Sequence, residues 1–351
     1  MSQRRKLTKW LVVLVVLHCI VVGAGFFAPY NPVEQDRERP YLPPMHVHLM
    51  DAQNPFHLRP FFYPLRLRTG SFDQYEEDTT SAIPLHFFIR GAAYHFLGLI
   101  PSRLHLFGST DARIHLLGSD AYGRDQLSRI LYGGQVSLLA GLLGATVTLF
   151  LGALIGMAAG YYGGRRDDLL MRVAELFLAL PWLYLLFALR AFLPLAVSPL
   201  EAFLLVVVVI GMVGWARPAR LVRGVVLTVK ERDFVRAARG FGASDFYLLR
   251  HHIFPETASV LLTQAAILVP QFVLAEMTLS FLGLGVPEPT SSWGNLLASL
   301  QQYSVLVSYW WMYLPALAIV PFFLGYLGLA SALQHRISPH KIKEQSGWNP
   351  S

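Results

Sequence analysis

The sequence predicts an all-α polytopic membrane protein: six transmembrane helices, with a loop-rich extracytoplasmic insert between helices 1 and 2. Three observations carry this. Of 351 residues, 54 % are hydrophobic and only 15 % charged, against roughly 25 % charged in soluble domains, so the chain has too little charge to cover a water-facing surface. Six apolar runs approach the ~20 residues that cross about 30 Å of hydrocarbon. Lysine and arginine concentrate at alternate connections between those runs. The net charge of +7 is therefore a matter of topology, and no nucleic-acid partner is inferred from it. The single cysteine, Cys19, excludes an internal disulfide.

In order, the runs are 10–28, 136–162, 173–195, 202–216, 257–285 and 305–333. The first is uncharged and reads as an uncleaved signal anchor: it is long for a secretory h-region and no small-x-small cleavage site follows. The second carries Gly152, Gly156 and Gly160, four apart on one helical face. The third is interrupted by Glu175, Pro181 and Arg190; the fourth is short and reaches across only if residues near Pro199 join it. The fifth contains Pro270 and Glu276. Pro181 and Pro270 are expected to kink their helices.

All five lysines lie in the N-terminal tail, the segment between runs four and five, or the C-terminal tail. With the connector after run two, these segments hold 18 Lys and Arg against seven Asp and Glu; residues 30–130 hold 10 Arg, no Lys and 11 acids. Both termini are therefore predicted cytoplasmic and the long segment external. The resulting division is 1–29, tail and first helix; 30–131, insert; 132–335, a five-helix core with a cytoplasmic loop at 217–256; and 336–351, a cytoplasmic tail.

The insert is rich in proline, aromatic residues and histidine, with short strands expected near 61–67. Residues 83–100 are apolar enough for a membrane interface, with Leu85, Phe88, Ile89, Ala92 and Ala93 at helical spacing. His46, His48 and His57 match no metal-ligand template, so no metal is expected.

Loop 217–256 is the most specific segment. Thr228 and Glu231 have capping-box spacing. Phe234, Ala237, Ala238 and Phe241 follow as an apolar stripe beside Arg232, Arg236 and Arg239; Gly240 and Gly242 can end that helix. Ser244 or Asp245 can cap a second helix carrying Phe246, Leu249 and Ile253 on one face and stopped by Pro255. Read from the residues alone, this is a basic helix–turn–helix on the cytoplasmic membrane surface. The order Ala237-Ala238, Gly242, Pro255, with His252-Ile253 before the proline, resembles the EAA loop of bacterial ABC importer permeases, in the dipeptide/oligopeptide branch. Arg236 stands where that family has glutamate and Phe254 where it has leucine.

Two further motifs agree. The string His115-Leu-Leu-Gly118-Ser-Asp120, Gly123-Arg124-Asp125, Ser128-Arg129 is similar to a pattern ahead of the family's second span, with Arg124 and Arg129 expected to stay at the membrane interface. Residues 280–285, Ser-Phe-Leu-Gly283-Leu-Gly285, followed by Pro287 and Trp293-Gly294, are similar to the signature after its fifth span.

The resemblance covers roughly 114–337 and implies a type I ABC importer permease (MetI-like) fold. It also implies that Arg236, Ala237, Ala238, Arg239, Gly242, Ser244, Asp245, Arg250, His252, Ile253 and Pro255 form an ATPase-coupling loop. Gly118, Asp120, Gly123, Arg124, Asp125, Gly283, Gly285 and Trp293 are expected to face a binding protein. The implied partners are a homologous second permease, two ATP-binding subunits, an extracytoplasmic solute-binding protein and the bilayer of a bacterial inner membrane. The implied cargo is dipeptides or oligopeptides, with nickel complexes or peptide-like antibiotics as the alternative, and a stand-alone membrane enzyme or channel as the reading from another class.

No Gly-Lys dipeptide occurs, so the phosphate-binding loop G-x-x-x-x-G-K-[ST] is missing, as are H-E-x-x-H and G-x-S-x-G. No cofactor is expected on this chain; ATP and magnesium belong to the partner ATPases. Glu175 and Glu276 are too costly to face lipid and are candidates for the translocation pathway. Arg172 is a candidate ion-pair partner for Glu175.

Overall fold

The computed structural model describes residues 3–50, 59–68, 74–96, 99–194 and 196–337. The chain forms two compact units, one of Met1–Leu14, Leu138–Leu279 and Pro321–Ser351, the other of Val15–Ser137 and Ser280–Val320. His57 and most of the C-terminal tail lie outside the described residues.

Helix α1 (Gln3–Val22) ends at Gly23, and a short α2 (Ala24–Phe27) follows, so the first apolar run is two helical pieces. Helix α3 (Gln126–Tyr162) has 37 residues, about 55 Å at 1.5 Å each, nearly twice the hydrocarbon thickness. The third run is α4 (Gly164–Ala179) and α5 (Trp182–Ala191), bent by 93°; the ring of Pro181 between them removes a donor and ends the first helix. Helix α6 (Pro199–Gly214) starts on the expected proline, under a capping box in which Ser198 and Glu201 satisfy each other's backbone donors. It continues into α7 (Ala216–Val229) with a 44° bend. Helices α8 (Asp233–Gly240) and α9 (Asp245–Leu248) precede the long α10 (Phe254–Phe281); α11 (Trp293–Ala298), α12 (Tyr303–Ser308) and α13 (Leu314–Ile337) complete the chain. By length and composition three described helices can cross a bilayer, and up to five spans result if each bent pair counts as one.

In the unit holding Gly152, Gly156 and Gly160, α3 packs on α7. A Cβ on these glycines would meet Pro218 Cβ at 2.6 Å, Ala219 O at 2.4 Å and Val226 Cβ at 2.8 Å. Only hydrogen fits there, the small-residue stripe that lets membrane helices approach closely.

The other unit shows that the chain is mostly helical but not all-α. Strands β1 (Phe61–Phe62) and β4 (Ile83–Pro84) pair antiparallel, as do β2 (Leu65–Leu67) with β3 (Tyr75–Glu77) and β5 (His86–Phe96) with β6 (Ile100–Gly108). Ile83–Pro84 and His86–Phe96 are thus extended, against the helical spacing read there: β-branched and aromatic residues find cross-strand partners, such as Ile89 opposite His105 and Phe87 opposite Phe107. The insert also has its own core, in which Leu42, Met45, Phe62, Leu65, Ile83, Leu85, Phe107 and Ile114 are buried together.

Candidate functional site

Two clusters hold the residues that the sequence singled out, one in each unit. The first is the segment from α7 to α10. The expected capping box does not form: Thr228 lies in the last turn of α7 and donates to Gly224 O at 3.2 Å, while Lys230 N donates to Val226 O at 3.0 Å. Burial of Val222, Val226 and Val229 in one cluster carries α7 past Thr228, and a threonine within a helix back-bonds to residue i−4 instead of capping. Helix α8 begins at Asp233, whose charge suits the first turn. Gly242 takes φ +84°, the left-handed position that closes a helix, and Ser244 Oγ accepts from Tyr247 N at 3.3 Å, as its position predicts.

Pro255 does not stop the second helix. A wide turn over Leu249–Ile253 leads straight into α10, and such widened turns accommodate a residue without an N–H. The expected apolar stripe also faces outward. Within 231–256, Val235, Leu248 and Ile253 are the buried residues, with Ala238 packed partly against them. Phe234 is exposed, Phe241 is 92 % exposed and Phe246 70 %. Arg236, Ala237, Arg239, Gly242, Ser244, Asp245, Arg250 and Pro255 share that exposure, whereas His252 is half-buried with its ring 5.8 Å from that of Phe234.

What holds this hairpin down was not read from the sequence. Tyr161 at the end of α3 donates its hydroxyl to Asp245 Oδ1 at 2.5 Å, and the Arg239 guanidinium lies 5.4 Å from the Tyr161 ring centroid. Lys230 Nζ donates to Gly160 O at 2.8 Å, and Arg223 grips Asp167 with two bonds of 2.5 and 2.6 Å. Arg236 donates to Glu231 at 2.6 Å on the surface, and that bond, with the Arg236 charge behind it, holds the Glu231 carboxyl below the ordinary glutamate range.

Glu276 on α10 is fully buried. Glu175 is exposed on α4 and makes no ion pair with Arg172, correcting that expectation.

The second cluster is an ion-pair knot in which Asp120, Arg124 and Arg129 are buried and Glu288 is exposed. Asp120 Oδ1 accepts from the backbone N–H of Tyr122 (2.9 Å) and Arg124 (3.0 Å); its Oδ2 accepts from Arg124 Nε (2.7 Å) and from Arg129 Nη1. Glu288 accepts from Arg124 Nη1 and Arg129 Nη2, each at 2.6 Å. Burial works against the charge of Arg124, but Asp120 and Glu288 outweigh it and hold its pKa above the ordinary value. Arg129 is 3 % exposed, and both arginines are interior to their unit: each has two carboxylates, and a paired guanidinium can leave water. Gly118 (φ +77°) and Gly123 (φ +70°) turn the chain around Asp120; a Cβ on Gly123 would fall 1.8 Å from Asp36 O. Asp125 caps α3, its Oδ2 accepting from Ser128 N (2.8 Å) and Ser128 Oγ (2.7 Å), and its Oδ1 lies 3.0 Å from His115 Nδ1.

The loop after α10 is pinned in the same unit. Trp293, 1 % exposed, donates Nε1–H to Ile130 O at 2.9 Å. Asn295 Nδ2 donates to Val286 O (3.2 Å) and Thr290 O (2.7 Å), and a Cβ on Gly285 would fall 2.0 Å from Ser280 Oγ. Of the residues expected to face a partner, Gly283 is exposed, while Gly118, Asp120, Gly123, Arg124, Asp125, Gly285 and Trp293 are buried. Their geometry shapes the loops; it does not present their side chains. Glu288, Asn295 and Trp311, whose Nε1–H donates to Ser119 O at 3.0 Å, were missed. The bonded pairs lie up to 192 residues apart, and no local pattern announces them.

Residues 152–339 match the family model described as "Binding-protein-dependent transport system inner membrane component". The dipeptide transport system permease protein DppC of Bacillus subtilis is 34 % identical over 222 residues, covering 63 % of this chain and 67 % of that one. A putative peptide transport system permease protein of Brucella suis is 40 % identical over 201 residues (57 % and 65 %). The oligopeptide transport system permease protein OppC of Escherichia coli is 38 % identical over 212 residues (60 % and 68 %). The matched segment thus spans about two thirds of each relative's length. Among solved structures, an amino acid ABC transporter aligns with a TM-score of 0.43 at 18 % identity, covering 59 % of this chain and 94 % of that chain. With several apolar helices and a family match over more than half its length, the chain is a multi-pass membrane protein that belongs to the family of binding-protein-dependent transport system inner membrane components.

Proposed function

We propose that this chain is a permease subunit of an ATP-driven importer for dipeptides or oligopeptides, set in a bacterial inner membrane with both termini cytoplasmic and the insert outside. Helix α1 with α2, the three long helices and the two bent pairs make six crossings. The cargo follows from the three relatives named above, peptide transport system permeases at 34–40 % identity; the sidedness follows the distribution of lysine and arginine.

One observation carries the mechanism: α8, α9 and the turns that follow them expose Phe241, Phe246, Arg236 and Arg250 to solvent while being pegged to the end of α3 by the Tyr161–Asp245 bond. Exposed phenylalanines and arginines on one segment match the composition of a protein interface. An ATPase closing against this face moves α8, α9 and α3 together, because the pegs leave no slack, and α10 continues from α9 without a break. ATP and magnesium are used on the partner subunits, so this chain is a conduit and not itself an enzyme. A solute-binding protein delivers the peptide from outside, and a homologous second permease completes the pathway, to which Glu276 is a candidate contributor.

Vesicles containing the two permeases and two ATPases, supplied with binding protein, test this by uptake of labelled di- and oligopeptides. Uptake is expected to need ATP and to be abolished by Gly242→Pro, since proline cannot adopt φ +84°. ATP-dependent uptake of nickel complexes without peptides, or peptide uptake surviving Gly242→Pro, would overturn the assignment.

A further inference from the structure

We infer that the β5–β6 hairpin is a membrane-surface anchor that lays its aromatic and arginine residues on the anionic phospholipid headgroups of the outer leaflet. The inference rests on the external placement of the insert proposed above.

Three observations point to lipid as the occupant. First, the hairpin carries open apolar side chains: Phe87, Phe88 (63 %), Leu99 (81 %), Ile100 and Leu104 are all exposed. Successive strand residues normally point to opposite faces; here Phe87 and Phe88 are both in the open, and Phe88 has φ +56°, a left-handed conformation that bulky side chains seldom adopt.

Second, the hairpin is continuous with the exposed apolar end of the first helix. Val15, Val16 and Val22 of α1 are exposed. The Phe26 ring just beyond them lies 6.3 Å from that of Phe88. His105 Nδ1 is 2.6 Å from Ala28 O, and a Cβ on Gly25 would overlap the Tyr94 ring. The strands are therefore fixed to α2, where the chain leaves the apolar run, at the level where aromatic residues collect at a bilayer boundary.

Third, the charge is one-signed. Between Asp78 and Asp111 there is no Asp or Glu, while Arg90 and Arg103 are both exposed on the strands. A water-facing hairpin has no reason to exclude acids over 32 residues; one facing phosphate does.

The test uses the full chain with Cys19→Ser, in vesicles of neutral or anionic phospholipid, with single substitutions Phe88→Cys, Ile100→Cys and, as control, the exposed Thr110→Cys. Each carries an environment-sensitive fluorophore. Labels at 88 and 100 are expected to be quenched by lipid doxyl-labelled near the headgroup and shielded from aqueous iodide; the label at 110 should show the reverse. Adding Arg90→Gln and Arg103→Gln should lower lipid contact on anionic vesicles by about fivefold per arginine. Iodide quenching at 88 and 100 equal to that at 110, without lipid quenching, would overturn the inference. Shielding that appears only when the second permease or the binding protein is added, again without lipid quenching, would also overturn it and name a protein as the occupant. A membrane-impermeant maleimide on intact spheroplasts separates this from sidedness: failure to label Thr110→Cys would refute the external placement, while the vesicle measurement still judges the hairpin.

Discussion

Arginine does opposite things in the two regions that matter most. In 217–256, Arg250 is exposed, and the exposed Arg236 and Arg239 make only surface contacts, with Glu231 and with the Tyr161 ring. In the knot, Arg124 and Arg129 are buried and shared between Asp120 and Glu288. A buried guanidinium holds its loop still and is expensive to disturb, whereas an exposed one is free to meet a partner and costs little to remove. Stability should therefore reside in the knot and coupling in the hairpin, and substitutions that separate the two are the way to break the comparison.

The largest stability loss is expected from Asp120→Ala. It leaves two buried arginines with Glu288 alone and should cost about 3–5 kcal/mol, read as a lower unfolding temperature of the purified chain. Gly156→Ala comes next: its Cβ would sit 2.4 Å from Ala219 O, so α3 and α7 must separate, at about 1–3 kcal/mol. Trp293→Phe removes one buried hydrogen bond and should cost roughly 1–3 kcal/mol by leaving Ile130 O without that donor. Tyr161→Phe is the crossover case. It should cost about 1 kcal/mol yet lower the ratio of peptide transported to ATP hydrolysed, because it cuts the peg between α9 and α3.

The Arg236–Glu231 pair should be the smallest in stability. Its carboxyl titrates below the usual range, so whatever it contributes is present at neutral pH and is lost only as the pH falls through that depressed value. Arg236→Gln should leave the pH 7 unfolding temperature unchanged.

The same contrast explains what was legible in the sequence. Residues near in sequence declared themselves: Ser244 and Gly242 as caps, Pro199 at the start of α6, the glycines 152, 156 and 160 as one face. The family motifs drew attention to segments that the structure organises through long-range contacts. Asp120, Arg124 and Trp293 looked like surface motifs, but their partners Glu288 and Ile130 lie 164 and 163 residues away from Arg124 and Trp293. Periodicity misread the segment holding Phe88, Ile89, Ala92 and Ala93 because apolar residues at helical spacing also satisfy a bulged strand, and cross-strand partners decided the outcome. Thr228 and Pro255 misled because tertiary burial and a widened turn overrode local signals.

The most direct measurement of the central claim is co-purification of the ATP-binding subunits with the full chain carrying Phe241→Glu and Phe246→Glu. Both side chains are exposed and neither belongs to the buried cluster, so the double variant should keep the wild-type unfolding temperature. The account predicts that it loses the ATPases and ATP-driven peptide uptake together. Retention of both, at unchanged stability, would contradict the assignment of this face as the coupling surface.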